Sequence, residues 1–458
     1  MDTTVSANVR DELHIAARIE RLPYSPWHVR MRIILGVATF FDAFDALTIA
    51  YIVPSLLGEW HFSPAQIGPL FSIGYAGQAI GALAFGWLAE RFGRVRMAMF
   101  TVLIFAIMSV VCANAQNYDQ LFWARFVQGI GLGGEVPLAA AYINEIAKAK
   151  GRGRFFLYYE AVFPAGLLAV ALLAAWVVPT FGWRWMFYIG AVPALIVIAM
   201  RQWCPESPRW LASRGRRADA EASMAEIEAA VSGNGARPLP PVPDLPLQPP
   251  PIDRPGIGEL FRGMYLQRTI VVSLLWICAY MVTYGLIVWL PTIYRTVYGL
   301  SVQDSINYSL LQQIMSMIAF LIAASVIDAT GRKKMFAFCF IVGALPLFVL
   351  WYLKGGTADS VRYLAAASML FVSICSGALY LYVPELYPTR IRALGTAWST
   401  FWLRMASIAG PLIVGWILPV GGTAGVFLFV GLVSLVGGVV CLLFAEETSG
   451  KVLEEISP

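Results

Sequence analysis

Six charged residues stand inside long apolar runs of this 458-residue chain. An ionised side chain at the centre of a bilayer costs about 2.5–3.5 kcal/mol on insertion scales, so such residues are functional candidates by default. A carboxylate in this setting can carry a proton, and an arginine, which keeps its charge, attracts an anion. The six are Asp42, Asp45, Arg125, Glu135, Glu160 and Arg404.

Asp42 and Asp45 are three residues apart, which places both carboxylates on one face of a helix. Two ionised carboxylates on one face repel each other, and this repulsion favours binding of a proton near neutral pH. The pair is therefore a candidate for proton coupling. An ion pair with Arg125 that closes a gate between two helices is a second interpretation, and solvation at a helix end is a third.

Arg125 and Glu135 belong to one polar stripe at helical spacing, which we expect to face a central cavity. Glu135 follows two glycines that allow another helix to approach closely. It is either a second protonatable group or a packing residue that is hydrogen-bonded to its neighbours. Glu160 lies only a turn or two into the next apolar run, where we expect a gate or an ion pair rather than a substrate contact.

Arg404 is the residue most informative about a ligand. The planar fork of a guanidinium matches the two oxygens of a carboxylate, so Arg404 predicts a site for an anion. The alternative is a permanent ion pair with Asp42 or Glu135.

Aromatic side chains are candidates for the rest of this site, because their faces can hold a flat ring. The alternative is that they pack between helices or form interfacial belts. Phe401 precedes Arg404 by three residues, so both can face one cavity, and Pro291 would allow its helix to break. The predicted substrate-binding residues are Arg404, Tyr284, Trp289, Phe401, Trp402, Tyr280 and Phe163.

The composition identifies the elements that carry these residues. The chain is 59% hydrophobic and 13% charged, whereas soluble domains are about 25% charged. A membrane-spanning helix needs about 20 apolar residues. We therefore expect an all-α membrane protein with twelve transmembrane helices in two six-helix halves, at 31–57, 66–89, 97–115, 119–146, 155–178, 185–203, 268–294, 305–328, 334–353, 361–386, 394–419 and 424–445.

The polar stretches divide the chain into domains. Lys and Arg are concentrated in alternate short loops, and the positive-inside preference then makes both termini and the central loop cytoplasmic. The proline-rich part of the central loop cannot form a helix, and a semi-rigid linker is favoured over a ligand for SH3-type domains. The predicted domains are an N-terminal segment 1–30, a half 31–203, a central loop 204–267, a half 268–445 and a tail 446–458.

A short signature occurs once in each half, after the second and the eighth apolar runs. An acid, a glycine turn and a basic cluster at the same place in both halves indicate an internal repeat. The acid can pair with basic groups and helix ends, and thereby latch one conformational state. The predicted latch residues are Gly86, Glu90, Arg91, Gly93 and Arg94 in one half and Asp328, Gly331 and Arg332 in the other.

Further motifs carry a resemblance to a known family. The signatures above, with 125–129, 205–209, 384–392 and 446–448, resemble the major facilitator superfamily over essentially the whole chain. Within it they resemble the branch of sugar porters, organic ion transporters and aromatic acid–proton symporters. Segments 41–45, 131–137, 276–291 and 410–415 resemble bacterial niacin transporters.

The resemblance implies a function. Two halves would rock around a central site that holds a small aromatic monocarboxylate such as niacin, with its carboxylate on Arg404. Protons that enter through Asp42, Asp45 or Glu135 would drive uptake. The partners would be this substrate, protons and the lipid bilayer of a bacterial-type inner membrane, with a monomeric, multi-pass chain and no nucleic acid.

Other functions remain open at this stage. Another aromatic acid or a sugar is one alternative, although few amide side chains lie in the spans to bind a sugar. A non-transporting membrane sensor of the same fold is another. An enzyme is not expected, because no catalytic triad, metal cluster or phosphate-binding loop occurs in the spans. We expect no cofactor and no metal.

Overall fold

The computed structural model describes residues 3–61, 63–148, 155, 158–159, 162–233, 235–243 and 256–448. Within these ranges the regular structure is helical and contains no β-strand. Eleven helices of the described residues are long and apolar enough to cross a membrane. This confirms the predicted all-α membrane fold.

The first half begins with a helix that precedes the apolar runs. Its described helices are α1 (Thr3–Glu20), α2 (Pro26–Trp60), α3 (Pro64–Phe92), α4 (Arg94–Ala113), α5 (Tyr118–Ile146), α6 (Val162–Phe181), α7 (Arg184–Gly190) and α8 (Ala194–Trp203). Two short helices follow in the central segment, α9 (Pro208–Ser213) and α10 (Arg217–Ser232).

The second half repeats the pattern. A 3₁₀ turn (Ile257–Phe261) leads into α11 (Met264–Thr296), α12 (Val302–Thr330), α13 (Arg332–Tyr352), α14 (Ala358–Leu386) and α15 (Thr389–Phe444). We call the membrane face with α1, α9 and α10 the terminal face, and the opposite face the far face.

Two of the predicted spans or junctions have a particular form in the structure. The sixth span consists of α7 and α8, which are separated by a turn before Pro193. The last two predicted spans are two helices that meet directly at Gly422, with φ 60° and ψ −166°, within the stretch labelled α15. A left-handed φ is accessible to glycine at little cost, so the chain reverses there without a longer loop.

The helix of Tyr284 and Trp289 is continuous. The sequence left open a break at Pro291, but α11 runs through this residue to Thr296. A proline in a buried helix removes one hydrogen bond, and packing by neighbouring helices can tolerate this loss.

The two halves contact each other between the middle of the membrane and the far face. Ser72 on α3 donates to the carbonyl of Ile408 on α15 at 2.8 Å, and Gln303 on α12 donates to that of Ala175 on α6 at 2.7 Å. Near the terminal face, Arg94 binds Glu145 and Arg332 binds Glu385, each within one half. The described hydrogen bonds between the halves therefore lie from the middle of the membrane to the far face.

Candidate functional site

Asp45 and Arg125 form a buried ion pair between α2 and α5. Arg125 Nη1 donates to Asp45 Oδ2 at 2.6 Å and to Gln128 Oε1 at 2.7 Å. Gln128 Nε2 donates to Asp45 Oδ1 and to Ser109 Oγ, both at 2.8 Å. Both oxygens of Asp45 are thus hydrogen-bonded, as the ion-pair interpretation of the sequence anticipated.

Asp42 has a different environment although it lies one turn away. Its side chain is 2% exposed, and its Oδ1 has no hydrogen-bond partner among the described residues. Arg404 and Asp45 are nearby charged residues. A buried carboxylate without partners is unfavourable when ionised, so this position favours a carboxyl group that exchanges a proton.

Arg404 reaches across the interface between the halves. Its Nη1 donates to Oε1 of Gln78 on α3, and the residue is half-buried. Among the described residues no carboxylate lies at ion-pair distance from its guanidinium. The ion pair with Asp42 or Glu135 that the sequence left open is therefore not formed in this state.

Tyrosines of α11 and α3 lie beside these charged groups. Tyr284 packs edge-on against Tyr75, with ring centroids 5.0 Å apart, and Tyr280 stacks on Tyr284 at 6.1 Å. Tyr284 lies near Arg404 and Asp42. Groups from both halves thus surround one point near the middle of the membrane.

Other predicted aromatic residues lie apart from this point. Trp289 is 1% exposed, donates from Nε1 to the carbonyl of Pro411 at 2.9 Å, and packs on Phe71. It belongs to the closed contact near the far face. Phe401 is 40% exposed and stacks on Trp398, closer to the terminal face, and Trp402 packs against the same ring.

Three further predicted residues belong to the first half. Glu135 is buried and accepts from Thr39 Oγ1 at 3.1 Å, and the same hydroxyl lies 2.6 Å from that of Tyr159. This contact agrees with the packing interpretation and leaves its protonation untested. Phe163 is half-buried at the start of α6. Glu160 lies outside the described residues.

The first latch is a network around the turn between α3 and α4. Gly93 adopts φ 113°, which favours glycine. Arg94 pairs with Glu90 at 2.7 Å and with Glu145 at 3.1 Å. The carboxylate of Glu206 accepts the backbone N–H of Arg94 at 2.8 Å and that of the next residue at 3.0 Å, and thereby caps α4.

The second latch has the same construction. Gly331 adopts φ 81°, and Glu447 accepts the backbone N–H of Arg332 at 2.8 Å and that of Lys333 at 3.1 Å. Arg332 also pairs with Glu385 at 2.9 Å. The side chain of Asp328 lies outside what the structure describes.

Two predicted latch residues do not join these networks. Gly86 has open space where a Cβ would lie, and Arg91 is exposed. Sequence reasoning assigned no role to the acids that cap the helices, although Glu206 and Glu447 stand in motifs noted above. Gln78 and Tyr75 were not predicted either, although polar side chains on the second predicted span could have indicated them.

The arrangement of helices and charges can be compared with known proteins. The model of the family described as sugar (and other) transporter matches residues 36–458. The niacin transporter NiaP of Acinetobacter baylyi is 33% identical over 97% of this chain and 100% of its own. The gallate transporter of Pseudomonas putida is 29% identical over 90% of this chain and 91% of its own.

A solved structure has the same fold. The inward-open xylose transporter XylE from E. coli superposes with a TM-score of 0.73 over 94% of this chain and 99% of that chain, at 19% identity. The proteins similar over the whole length are transporters rather than enzymes. The chain is therefore a multi-pass membrane transporter, and it belongs to the sugar (and other) transporter family of the major facilitator superfamily.

Proposed function

We propose that this transporter takes up a small aromatic monocarboxylate, such as niacin, together with protons, by alternating access. The observation that carries the proposal is Arg404, a half-buried guanidinium near mid-membrane without a carboxylate partner among the described residues. Arginine stays charged, so a cavity that contains it favours an anionic substrate.

A carboxylate would bind Arg404 through two parallel hydrogen bonds. The aromatic ring would then lie along Tyr284 and Tyr280, whose stacked rings offer an apolar face. The names of similar proteins support this class of substrate, since they include a niacin transporter and a 4-hydroxybenzoate transporter, PcaK of Pseudomonas putida.

Asp42 is the group that we assign to proton exchange. Asp45 is held by Arg125 and Gln128, so its proton affinity is tied to that cluster. Asp42 lies near Arg404, and its buried Oδ1 has no hydrogen-bond partner among the described residues. An ionised Asp42 would compete with the substrate for Arg404, so substrate binding would favour its protonated form and couple the two.

The direction of transport follows from the loops. If the basic loops are cytoplasmic, the described state opens toward the cytoplasm and would release substrate there. The predicted monomer in a bacterial-type inner membrane is part of the same proposal.

Uptake into proteoliposomes tests the proposal. Radiolabelled niacin is supplied with and without an inward proton gradient, to wild type, Arg404→Ala and Arg295→Ala. We expect gradient-stimulated uptake in wild type, its loss in Arg404→Ala, and its retention in Arg295→Ala, which removes an exposed charge at the end of α11. No niacin uptake by wild type at any gradient would contradict the substrate assignment.

A competition panel distinguishes niacin from other acids. Gallate and 4-hydroxybenzoate are the relevant competitors, because proteins similar to this one are named for them. If one of these acids inhibits uptake of labelled niacin more strongly than unlabelled niacin does, and is itself taken up, that acid becomes the proposed substrate. Inhibition by xylose alone would favour a sugar.

A further inference from the structure

The hydrogen bond between Arg404 and Gln78 joins the two halves at the depth of the proposed site. Gln78 is 2% exposed and lies midway along α3, and Arg404 lies near the middle of the first span of α15. Gln78 is the hydrogen-bond partner that the structure describes for the guanidinium of Arg404.

The position of Gln78 is fixed by its backbone. A Cβ on Gly129 of α5 would lie 3.2 Å from the backbone nitrogen of Gln78, so α3 and α5 are in close backbone contact there. Such contacts between small residues hold membrane helices together. The backbone of Gln78 therefore has a fixed position beside α5. Only its side-chain amide can move away from Arg404.

We propose that Gln78 determines specificity by acting as a placeholder for the substrate carboxylate. Its amide oxygen holds Arg404 in the empty transporter, and the carboxylate of the substrate displaces it. This inference rests on the proposed function, because it needs an anion at Arg404.

The chemistry of the amide suits this role. Its oxygen offers the same acceptor geometry as one carboxylate oxygen but carries no charge. A carboxylate adds an opposite charge and can form two parallel hydrogen bonds to the guanidinium, so it can replace the amide. A glutamate at this position would instead supply a permanent internal anion and exclude the substrate.

The test is equilibrium binding of radiolabelled nicotinate to the purified full-length protein. The variants are Gln78→Glu, Gln78→Ala and, as a control for one added negative charge, Gln120→Glu at an exposed position on α5. We expect Gln78→Glu to raise the Kd by about 10-fold or more, because the internal ion pair must be broken first. We expect Gln78→Ala and Gln120→Glu to stay within about 3-fold of wild type.

A second measurement does not depend on any ligand. The melting temperature of substrate-free protein is expected to rise in Gln78→Glu, because an ion pair between the halves then replaces a hydrogen bond to an uncharged acceptor. An unchanged Kd in Gln78→Glu, or an equal loss of affinity in Gln78→Glu and Gln78→Ala, would overturn the placeholder role. Wild type that binds none of nicotinate, benzoate, 4-hydroxybenzoate and gallate would instead overturn the proposed function, whatever the melting temperatures.

Discussion

Asp42 and Asp45 have the same side chain on the same helix, but their surroundings give them different physical roles. Asp45 accepts hydrogen bonds from Arg125 and Gln128, whereas Asp42 has a buried oxygen without a partner among the described residues. Removing one partner of a buried ion pair leaves an uncompensated charge. Replacing Asp42, whose Oδ1 has no partner among the described residues, leaves no described cation without its counter-ion.

The substitutions Asp42→Asn and Asp45→Asn should therefore differ. We expect Asp45→Asn to destabilise the protein by about 3–5 kcal/mol, because Arg125 stays buried without its counter-ion. We expect Asp42→Asn to keep its stability and to exchange niacin across the membrane, but to lose accumulation driven by a proton gradient. Melting in detergent, gradient-driven uptake and counterflow measure these effects. Full gradient-driven accumulation by Asp42→Asn would contradict the assignment of the proton.

The sequence could identify this pair but could not divide its roles. Their spacing placed Asp42 and Asp45 on one helical face, and Arg125 was a foreseeable partner. Which carboxylate Arg125 binds depends on how α2 and α5 are rotated against each other, and on contributions from Gln128 and Ser109. Those rotations are set by tertiary packing, which helical periodicity does not specify.

At the scale of the elements, α1 and α10 dock on each other at the terminal face. Arg18 pairs with Glu228 at 2.7 Å, and Arg21 pairs with the same carboxylate at 2.6 Å. Ile15 and Ile19 are buried in the cluster that includes Ile227 of α10. The polar N-terminal segment is thus a folded part of the first half.

Glu228 should make this docking dependent on pH. Burial alone would raise its pKa, but hydrogen bonds from Arg18 and Arg21 more than offset burial, so its pKa lies below the ordinary value of 4.5. A carboxyl group with a lowered pKa stabilises the folded state above its unfolded pKa, and this stabilisation is lost as the pH falls through the lowered value. We expect the protection of α1 against hydrogen exchange, relative to the intrinsic exchange rate at each pH, to be high at neutral pH and to fall when the pH drops below about 4.5.

A variant pair checks the source of this pH dependence. Glu228→Gln should release α1 already at neutral pH, whereas Glu226→Gln, an exposed position on the same helix, should behave as wild type. Equal protection of α1 in both variants would show that the apolar contacts alone hold it.

The sequence predicted the spanning helices well and α1 not at all. Long apolar runs identify a membrane span by composition, whereas α1 buries only a narrow apolar stripe against partners 200 residues away. The helices also extend beyond the apolar runs, since polar residues continue a helix outside the hydrocarbon. This explains why α2 begins at Pro26 although its apolar run begins five residues later.

At the scale of the whole molecule, the two halves meet closely at Gly68 of α3. A Cβ on Gly68 would lie 3.1 Å from the carbonyl oxygen of Pro411 on α15. This distance is shorter than ordinary van der Waals contact, so a larger side chain would push the halves apart near the far face. We expect the state that is open to the far face to lack this contact.

Gly68→Leu should therefore shift the population toward the state that is open to the far face. We expect faster labelling of a cysteine placed in the cavity by a membrane-impermeant thiol reagent added from the far side. Gly58→Leu is the matched control, because a Cβ at Gly58 meets open space. Equal labelling of the two variants would show that the contact at Gly68 does not limit closure.

The sequence could predict the fold of the whole molecule but not its conformational state. Apolar runs and repeated loop signatures already indicated two six-helix halves. The state depends on contacts such as Ser72 with Ile408, which are 336 positions apart in the chain. Two states that differ by a few kcal/mol have the same pattern of apolar runs.

The capping acids have a consequence for how the chain could be divided. Glu206 follows the sixth span and returns to the start of α4, and Glu447 follows the twelfth span and returns to the start of α13. Each half thus contains both the capping acid and the helix that this acid caps. Neither cap needs a residue from the other half. A gene divided within the proline-rich stretch 238–251 should give two co-expressed fragments that assemble into a working transporter. Niacin uptake by cells that make both fragments, but not by cells that make only one, would measure that assembly.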